Sequence, residues 1–357
     1  MNIHQYVVRE TGEIVTEKLI GDRLVHLLYN PVREHAPAMF NALTSSRMSS
    51  LLGYFHFDFD LDQRRGKGLE LLTKMGVDWQ ECVDSPHTLD TPRKVFERKI
   101  RYWDMRPMDQ DPLAVVSPAD AKVLIGSLGT TPALFIKEKF FSVVELLGME
   151  QGWVDDFEEG DFAVFRLTPD KYHYNHLPVS GRVLDTYELG GRYHSCNPGA
   201  VLALASLYAK NKRVVTIIDT DVENGSQVGL VAMIEVVALM IGDIVQCYSG
   251  LRYDDALPVR PGMFVEKGCP KSLYRPGSST DILLFQPGRL TFSEDLRMNA
   301  CRRDVQSRFS SGLGHPLVET DIRVRATVGR ANSGRVWPVQ KCRRENWITD
   351  CLKKKGT

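Results

Sequence analysis

From Ile14 to about Tyr102 apolar residues return every three or four positions, as in Leu19, Ile20, Leu24, Leu27 and Leu28 and again in Leu61, Leu69, Leu71 and Leu72. That spacing predicts a helical N-terminal region, because the apolar face of an α-helix comes round with this period. After Asp111 the pattern shortens to runs rich in Val and Ile, broken by Gly, Pro and Asp: Leu113–Val116, Phe162–Leu167, Val214–Ile218, Gln227–Val237, Leu239–Cys247 and Asp281–Phe285. These predict strands. Alternation over Asp321–Val328 puts Ile322, Val324, Ala326 and Val328 on one face and predicts a half-buried strand. Pro198–Lys210, opened by proline and rich in Ala and Leu, predicts one helix. The expected fold is α+β, with a helical N-terminal region (residues 1–110) packed on a β-rich domain (111–331) and a tail over 332–357.

Charge narrows the functional classes. The 357 residues carry 45 Lys+Arg against 45 Asp+Glu, so no overall positive field favours a dedicated nucleic-acid binder. Seven cysteines at irregular spacing, without a CxxC pair, predict reduced thiols and a cytoplasmic setting. The first ten residues hold no apolar signal-like run. The longest apolar stretch, Val228–Ile241, is interrupted by Glu235 and falls short of the ~20 residues a spanning helix needs. Met39–Phe57 has the amphipathic pattern of a helix docking on its own domain, with a membrane-surface helix as the alternative. Beyond Ser333 seven basic residues against Glu345 and Asp350 give a net charge of +5, with Trp337 and Trp347 among them, which suits an anionic bilayer surface or a solvated tail. The location expected is cytoplasmic with peripheral membrane association.

Candidate chemistry begins with Tyr172-His173-Tyr174-Asn175-His176-Leu177-Pro178. An HxxH on a helix would present both rings to one metal, but Pro178 and the β-rich surroundings argue against that helix, and no Glu lies between the histidines. No metal is expected, and each histidine is a candidate base or hydrogen-bonding group. Two further pieces are Ser117-Pro118-Ala119-Asp120, a carboxylate at the end of a Val-rich run, and Pro276-Gly277-Ser278-Ser279-Thr280, a turn of small residues entering an apolar strand. Either alone reads as an ordinary turn.

In this order the three pieces resemble the phosphatidylserine decarboxylase family, whose members carry Ser-Pro-Ala-Asp-Gly, Tyr-His-Arg-x-His-x-Pro and Gly-Ser-Thr segments. Phe96-Glu97-Arg98-Lys99-Ile100 with Arg106-Pro107, Asn197-Pro198 with Asn211-Lys212-Arg213, Ile234–Ile244 and Glu319–Gly329 are similar to further family stretches, so the resemblance spans roughly residues 1–331. It departs from the family pattern at Ala121, Tyr174, Val237, Leu239 and Ser278, which stand for Gly, Arg, Gly, Thr and Gly. Losing the arginine removes a fixed charge that could hold an acidic substrate group.

The resemblance implies a self-cleaving proenzyme whose serine becomes a covalently attached pyruvoyl group, the catalytic cofactor. By it, Ser279 is the converted residue, His176 its base, Asp120 the carboxylate orienting that base, and His173 a substrate-side group. Counting back from the strand favours Ser279; anchoring on the Gly-Ser step makes Ser278 the nucleophile instead. The implied reaction is decarboxylation of phosphatidylserine to phosphatidylethanolamine. A relative acting on a free amino acid or other amine-bearing acid, and an uncleaved lipid- or partner-binding homologue, are the alternatives. The implied assembly is a homodimer, each protomer a cleaved two-chain unit of 278 and 79 residues.

Overall fold

The computed structural model describes residues 3–19, 22–45, 72–73, 76–129, 142–149, 151–238, 243–277 and 279–332. Among them the strands are, in chain order, β1 (Gln5–Val8), β2 (Ile14–Thr16), β3 (Ala114–Val116), β4 (Ala121–Ser127), β5 (Asp161–Leu167), β6 (Tyr174–His176), β7 (Gly181–Leu189), β8 (Arg213–Asp219), β9 (Leu230–Val237), β10 (Ile244–Gln246), β11 (Phe264–Val265), β12 (Pro270–Tyr274), β13 (Ser279–Phe285), β14 (Leu290–Phe292), β15 (Thr320–Ile322) and β16 (Thr327–Ala331). Ten form one sheet in the order β11, β7, β8, β9, β13, β5, β4, β15, β1, β2. Two three-stranded sheets, β10-β12-β6 and β14-β16-β3, complete the β structure. With short helices around them this is an α+β fold.

β13 shows why the large sheet has two cores. Every residue of the strand is buried, and it is bonded antiparallel to β9 on one side and β5 on the other along its whole length. Side chains alternate between faces. Ile282 and Leu284 enter a core shared with Tyr29, Phe40, Leu146, Val201 and Tyr208, which come mostly from helices. Leu283 and Phe285 enter a second core closed by the small sheets through Tyr274, Val115 and Phe292. Burial on both faces explains why this strand reads as an apolar run rather than an alternating one.

Three elements differ from the sequence pattern, each for a local reason. The N-terminal region opens with the β1–β2 hairpin, and β1 also pairs parallel with β15, so β-branched Val7, Val8, Ile14, Val15 and Thr16 extend the large sheet before any helix begins. The helix expected over Pro198–Lys210 is two, Pro198–Ala203 and Leu207–Lys210, broken where Ser206 takes φ 50°. Asp321–Val328 is likewise not one strand: Arg325 at φ 71° turns the chain, so β15 and β16 belong to different sheets. Of the amphipathic segment, Pro37–Leu43 is helical and docks inward through Phe40, while Met39 is 48% exposed. Residues 46–57, Leu239 and the basic tail lie outside the described residues.

A buried ion network fastens the hairpin to the sheet. Arg166 of β5 donates to Glu319 at 2.9 and 2.6 Å and to Glu17 at 3.0 and 2.6 Å, and His4 Nε2 lies 2.7 Å from Glu319. His4, Glu17 and Glu319 have the donors of a metal site, but the guanidinium already supplies the positive charge between the carboxylates. Burial would raise both carboxyls; Arg166 outweighs it and holds them below their usual range. Because these folded-state values are depressed, their contribution to stability is present above about pH 4.5 and disappears as the pH falls further. Arg166→Met should lower stability at neutral pH by about 3–5 kcal/mol, read from urea unfolding, because two buried carboxylates lose their cation. Adding Glu319→Gln should recover part of that loss.

Candidate active site

Ser279 opens β13, opposite Leu167 on β5 and Val237 on β9. Gly277, two residues before it, adopts φ 154°, and Ser278 lies outside the described residues. Strand alternation places the Ser279 side chain with Asp281, Leu283 and Phe285, on the face covered by the small sheets. It is 1% exposed, and its Oγ makes no hydrogen bond. A buried hydroxyl left unpaired costs about 1–3 kcal/mol, so such an atom calls for an explanation.

The β10-β12-β6 sheet covers this face with polar groups. Glu235 on β9 accepts from Lys271 Nζ at 2.6 Å, Asn175 at 3.0 Å, Gln246 at 3.1 Å and the Ser272 hydroxyl. Burial would raise the Glu235 carboxyl, but the Lys271 ammonium and these donors hold it low. Tyr274 Oη donates to Asp281 Oδ1 at 2.8 Å and accepts from the Val236 amide at 3.1 Å.

The two histidines lie at β6 but sit in different surroundings. His173 stacks on Phe96 with ring centroids 3.6 Å apart, and Phe96 belongs to the core that also takes Leu283 and Val237. Neither ring nitrogen makes a hydrogen bond of ordinary geometry. Burial, helped by the nearby Arg98 guanidinium, pushes its pKa down to about 3. His176 instead sits among Tyr102, Tyr172 and Tyr253, its ring edge-on to Tyr102 at 4.7 Å. Its Nδ1 lies 2.8 Å from the Gly268 carbonyl, which can only accept, so Nδ1 carries the proton. Nε2 is then the basic atom, 3.0 Å from Tyr172 Oη. Burial pushes this ring to about 3 as well, against the hydrogen bond to Gly268. Both imidazoles are neutral near pH 7.

Asp120 follows β3 in a loop held by the Arg325 turn, where Ser117 and the 325–326 segment exchange two backbone hydrogen bonds. Its carboxylate accepts from Arg106 at 3.1 and 2.8 Å and from the Val324 amide at 2.8 Å. Arg106 also bridges to Glu81 at 2.7 Å. Burial would raise Asp120, but Arg106 keeps it ionised, and its charge in turn favours a proton on His176. The ring of His176 is oriented by Gly268 and Tyr172 rather than by Asp120.

The structure therefore puts Ser279 on the covered face of the sheet, stacks His173 on Phe96 of the core on that face and sets Asp120 beside His176 by charge, while no direct hydrogen bond links Asp120, His176 and Ser279. The motifs do not disclose Arg106, Gly268 or Tyr172 as partners, nor the cluster of Glu235, Lys271 and Asp281. One sign was present: Glu235 and Asp281 are carboxylates inside apolar runs. Tyr174, at the position of the family arginine, stacks on Tyr172 at 5.5 Å. A cavity of about 710 Å³ near Tyr29, Leu202 and Arg308 opens on the helix-covered side of the sheet, away from the Ser279 face.

A family model described as phosphatidylserine decarboxylase matches residues 93–306. A phosphatidylserine decarboxylase proenzyme of Bordetella petrii is 33% identical over 234 residues, covering 62% of this chain and 78% of its own. A protein of the same name from Chlamydia trachomatis is 31% identical over 312 residues, covering 87% and 96%. One from Fusobacterium nucleatum is 27% identical over 310 residues, covering 86% and 95%. Matched by the family model over more than half its length and by relatives across most of theirs, the chain belongs to the phosphatidylserine decarboxylase family.

Proposed function

We propose that the chain is a proenzyme that cuts itself between residues 278 and 279, converts Ser279 into a pyruvoyl group, and then decarboxylates phosphatidylserine. The observation that carries this reading is the Ser279 hydroxyl, buried and unbonded at the start of a fixed strand and preceded by Gly277 at positive φ. The relatives' shared name, phosphatidylserine decarboxylase proenzyme, agrees with it.

In the cut, Ser279 Oγ attacks the carbonyl carbon of residue 278 and its proton passes to a base; the peptide C–N bond then breaks to leave an ester, the base handing that proton to the departing nitrogen of residue 279. His176 Nε2 is the base: the ring is neutral, with its proton fixed on Nδ1. Asp120 favours the imidazolium that forms through its charge rather than through a hydrogen bond. A base of such low pKa is weak, which a reaction performed once per molecule can tolerate.

The residues around position 279 fit a pyruvoyl group, since the hydroxyl that would be consumed has no structural bond to lose. When present, that group supplies a ketone that takes up a primary amine and withdraws electrons as carbon dioxide leaves. His173, whose ring nitrogens make no hydrogen bond of ordinary geometry, moves a proton on the substrate side. Arg98, bonded to the Val95 and Asp170 carbonyls and in no ion pair among the described residues, is the nearby cation for an acidic headgroup. Tyr174 in the arginine position favours a second reading, a different amine-bearing acid as substrate; activity that does not depend on phosphatidylserine vesicles would support it.

Intact-mass analysis is expected to find two pieces, the C-terminal one blocked and reactive toward carbonyl reagents. Ser279→Ala should remain whole, and Ser278→Ala should still cut. His176→Ala should stop the cut, whereas His173→Ala should mature yet lose decarboxylation, read as carbon dioxide released from phosphatidylserine vesicles. The opposite pattern would exchange the two histidines' roles. Because both rings titrate at about 3, the cutting rate should not fall between about pH 7 and 5, where a histidine of ordinary pKa 6.5 would protonate.

A further inference from the structure

Two carboxylates and one lysine share the covered face of the sheet beside residue 279. Asp281 stands directly opposite Glu235 across the β9–β13 ladder. The groups facing it are Glu235 from β9, Lys271 and Tyr274 from β12, and the ring of Phe165 from β5. Lys271 is committed to Glu235 at 2.6 Å, with both side chains fully buried. An ionised Asp281 would thus be buried, without a cation of its own and next to a like charge. Burial first, and Glu235 second, push its carboxyl well above the usual range, so it keeps a proton. Tyr274 Oη lies 2.8 Å from Oδ1 and 3.0 Å from the Thr280 carbonyl; with its proton on the shorter contact, the carboxyl's own proton falls to Oδ2, which is buried with no partner. Ser279 Oγ, also without a partner, belongs to the next residue on the same face, whose Cα is about 7 Å earlier along the strand.

We propose that Asp281 is the hydrogen-bond donor of the elimination step in self-cleavage, its Oδ2–H stabilising the oxygen that departs from Cβ of residue 279. The inference rests on the self-cleavage reading above. The ester joins Oγ of residue 279 to the carbonyl carbon of residue 278. In the elimination a base takes the Cα proton of residue 279, and the electrons of that C–H bond form the Cα=Cβ double bond. The Cβ–Oγ bond breaks, with its electron pair passing to Oγ. That oxygen leaves as part of the new C-terminal carboxylate of residue 278, its charge stabilised by the hydrogen bond from Asp281. Asp281 keeps its proton throughout, so no second charge is placed next to Glu235.

The test is maturation followed by intact mass, with hydroxylamine as the probe for an ester. The wild-type chain should give the blocked C-terminal piece, at a rate that falls as rising pH ionises Asp281. Asp281→Leu should form the ester but eliminate on the order of 100-fold more slowly. Hydroxylamine should then cut its full-length chain and release a piece beginning with intact serine, a product that a merely misfolded chain would not yield. Asp281→Asn keeps a donor that cannot titrate; it should slow less and lose the alkaline fall in rate. A leucine variant that matures at the wild-type rate, or that folds yet stays whole and resists hydroxylamine, overturns the proposal. Should that variant not fold, the asparagine profile decides: retention of the wild-type alkaline limb overturns the proposal as well. A wild-type chain that never cuts would instead sink the self-cleavage reading, an outcome separate from variants that cut normally.

Discussion

The site depends on a central strand that cannot move. β13 is bonded to a neighbour on each side at every residue, so the backbone from Ser279 onward is fixed by the sheet. Any adjustment that self-attack requires falls on the chain before it, where Gly277 adopts φ 154°, a conformation that a residue with a Cβ rarely takes. The same rigidity sorts side chains by parity. Ser279, Asp281 and, on β9, Glu235 meet the covering sheet, while Ile282 and Leu284 anchor the strand on the helices.

Around this frame the protein treats its buried carboxylates in two ways. Glu17 and Glu319 share Arg166, Asp120 has Arg106, and Glu235 has Lys271. Each stays ionised because one cation lies within hydrogen-bond reach, which offsets the cost of burying the charge. Asp281 has Tyr274 as donor but no cation, and it stays neutral. The contrast places an acidic proton on the strand that begins with Ser279. The histidines complete the arrangement: burial first, with arginine charges beside them, pushes both rings down to about 3, so they are neutral near pH 7.

Much of this was legible in the sequence, and what was not has physical causes. Runs such as Val214–Ile218 and Asp281–Phe285 announce strands because those strands are buried on both faces. The breaks at Ser206 and Arg325 are hidden because nothing in the residue type demands a left-handed backbone there; tertiary packing imposes it. For the site, the three motifs offered Ser279 or Ser278 and the two histidines as candidates, since each motif is continuous in the chain. The partners are not continuous. Arg106 reaches Asp120 from 14 residues away, Lys271 reaches Glu235 from 36, and Gly268 reaches His176 from 92, so pairings set by sheet register leave no local mark.

The strand order also bears on how a cut chain would behave over its lifetime. Across the large sheet, β9, β5, β4 and β1 precede residue 279, while β13 and β15 follow it, and the two sets alternate as β9, β13, β5, β4, β15, β1. A break before residue 279 would leave the pieces interwoven, held by main-chain ladders on both flanks of β13 and of β15. The native assembly would persist as one unit. Regaining it after denaturation, however, would require two separate molecules to find each other in register. Maturation of this kind would turn folding from a reversible property of a single chain into an event whose success depends on concentration, which ties activity to the history of the precursor.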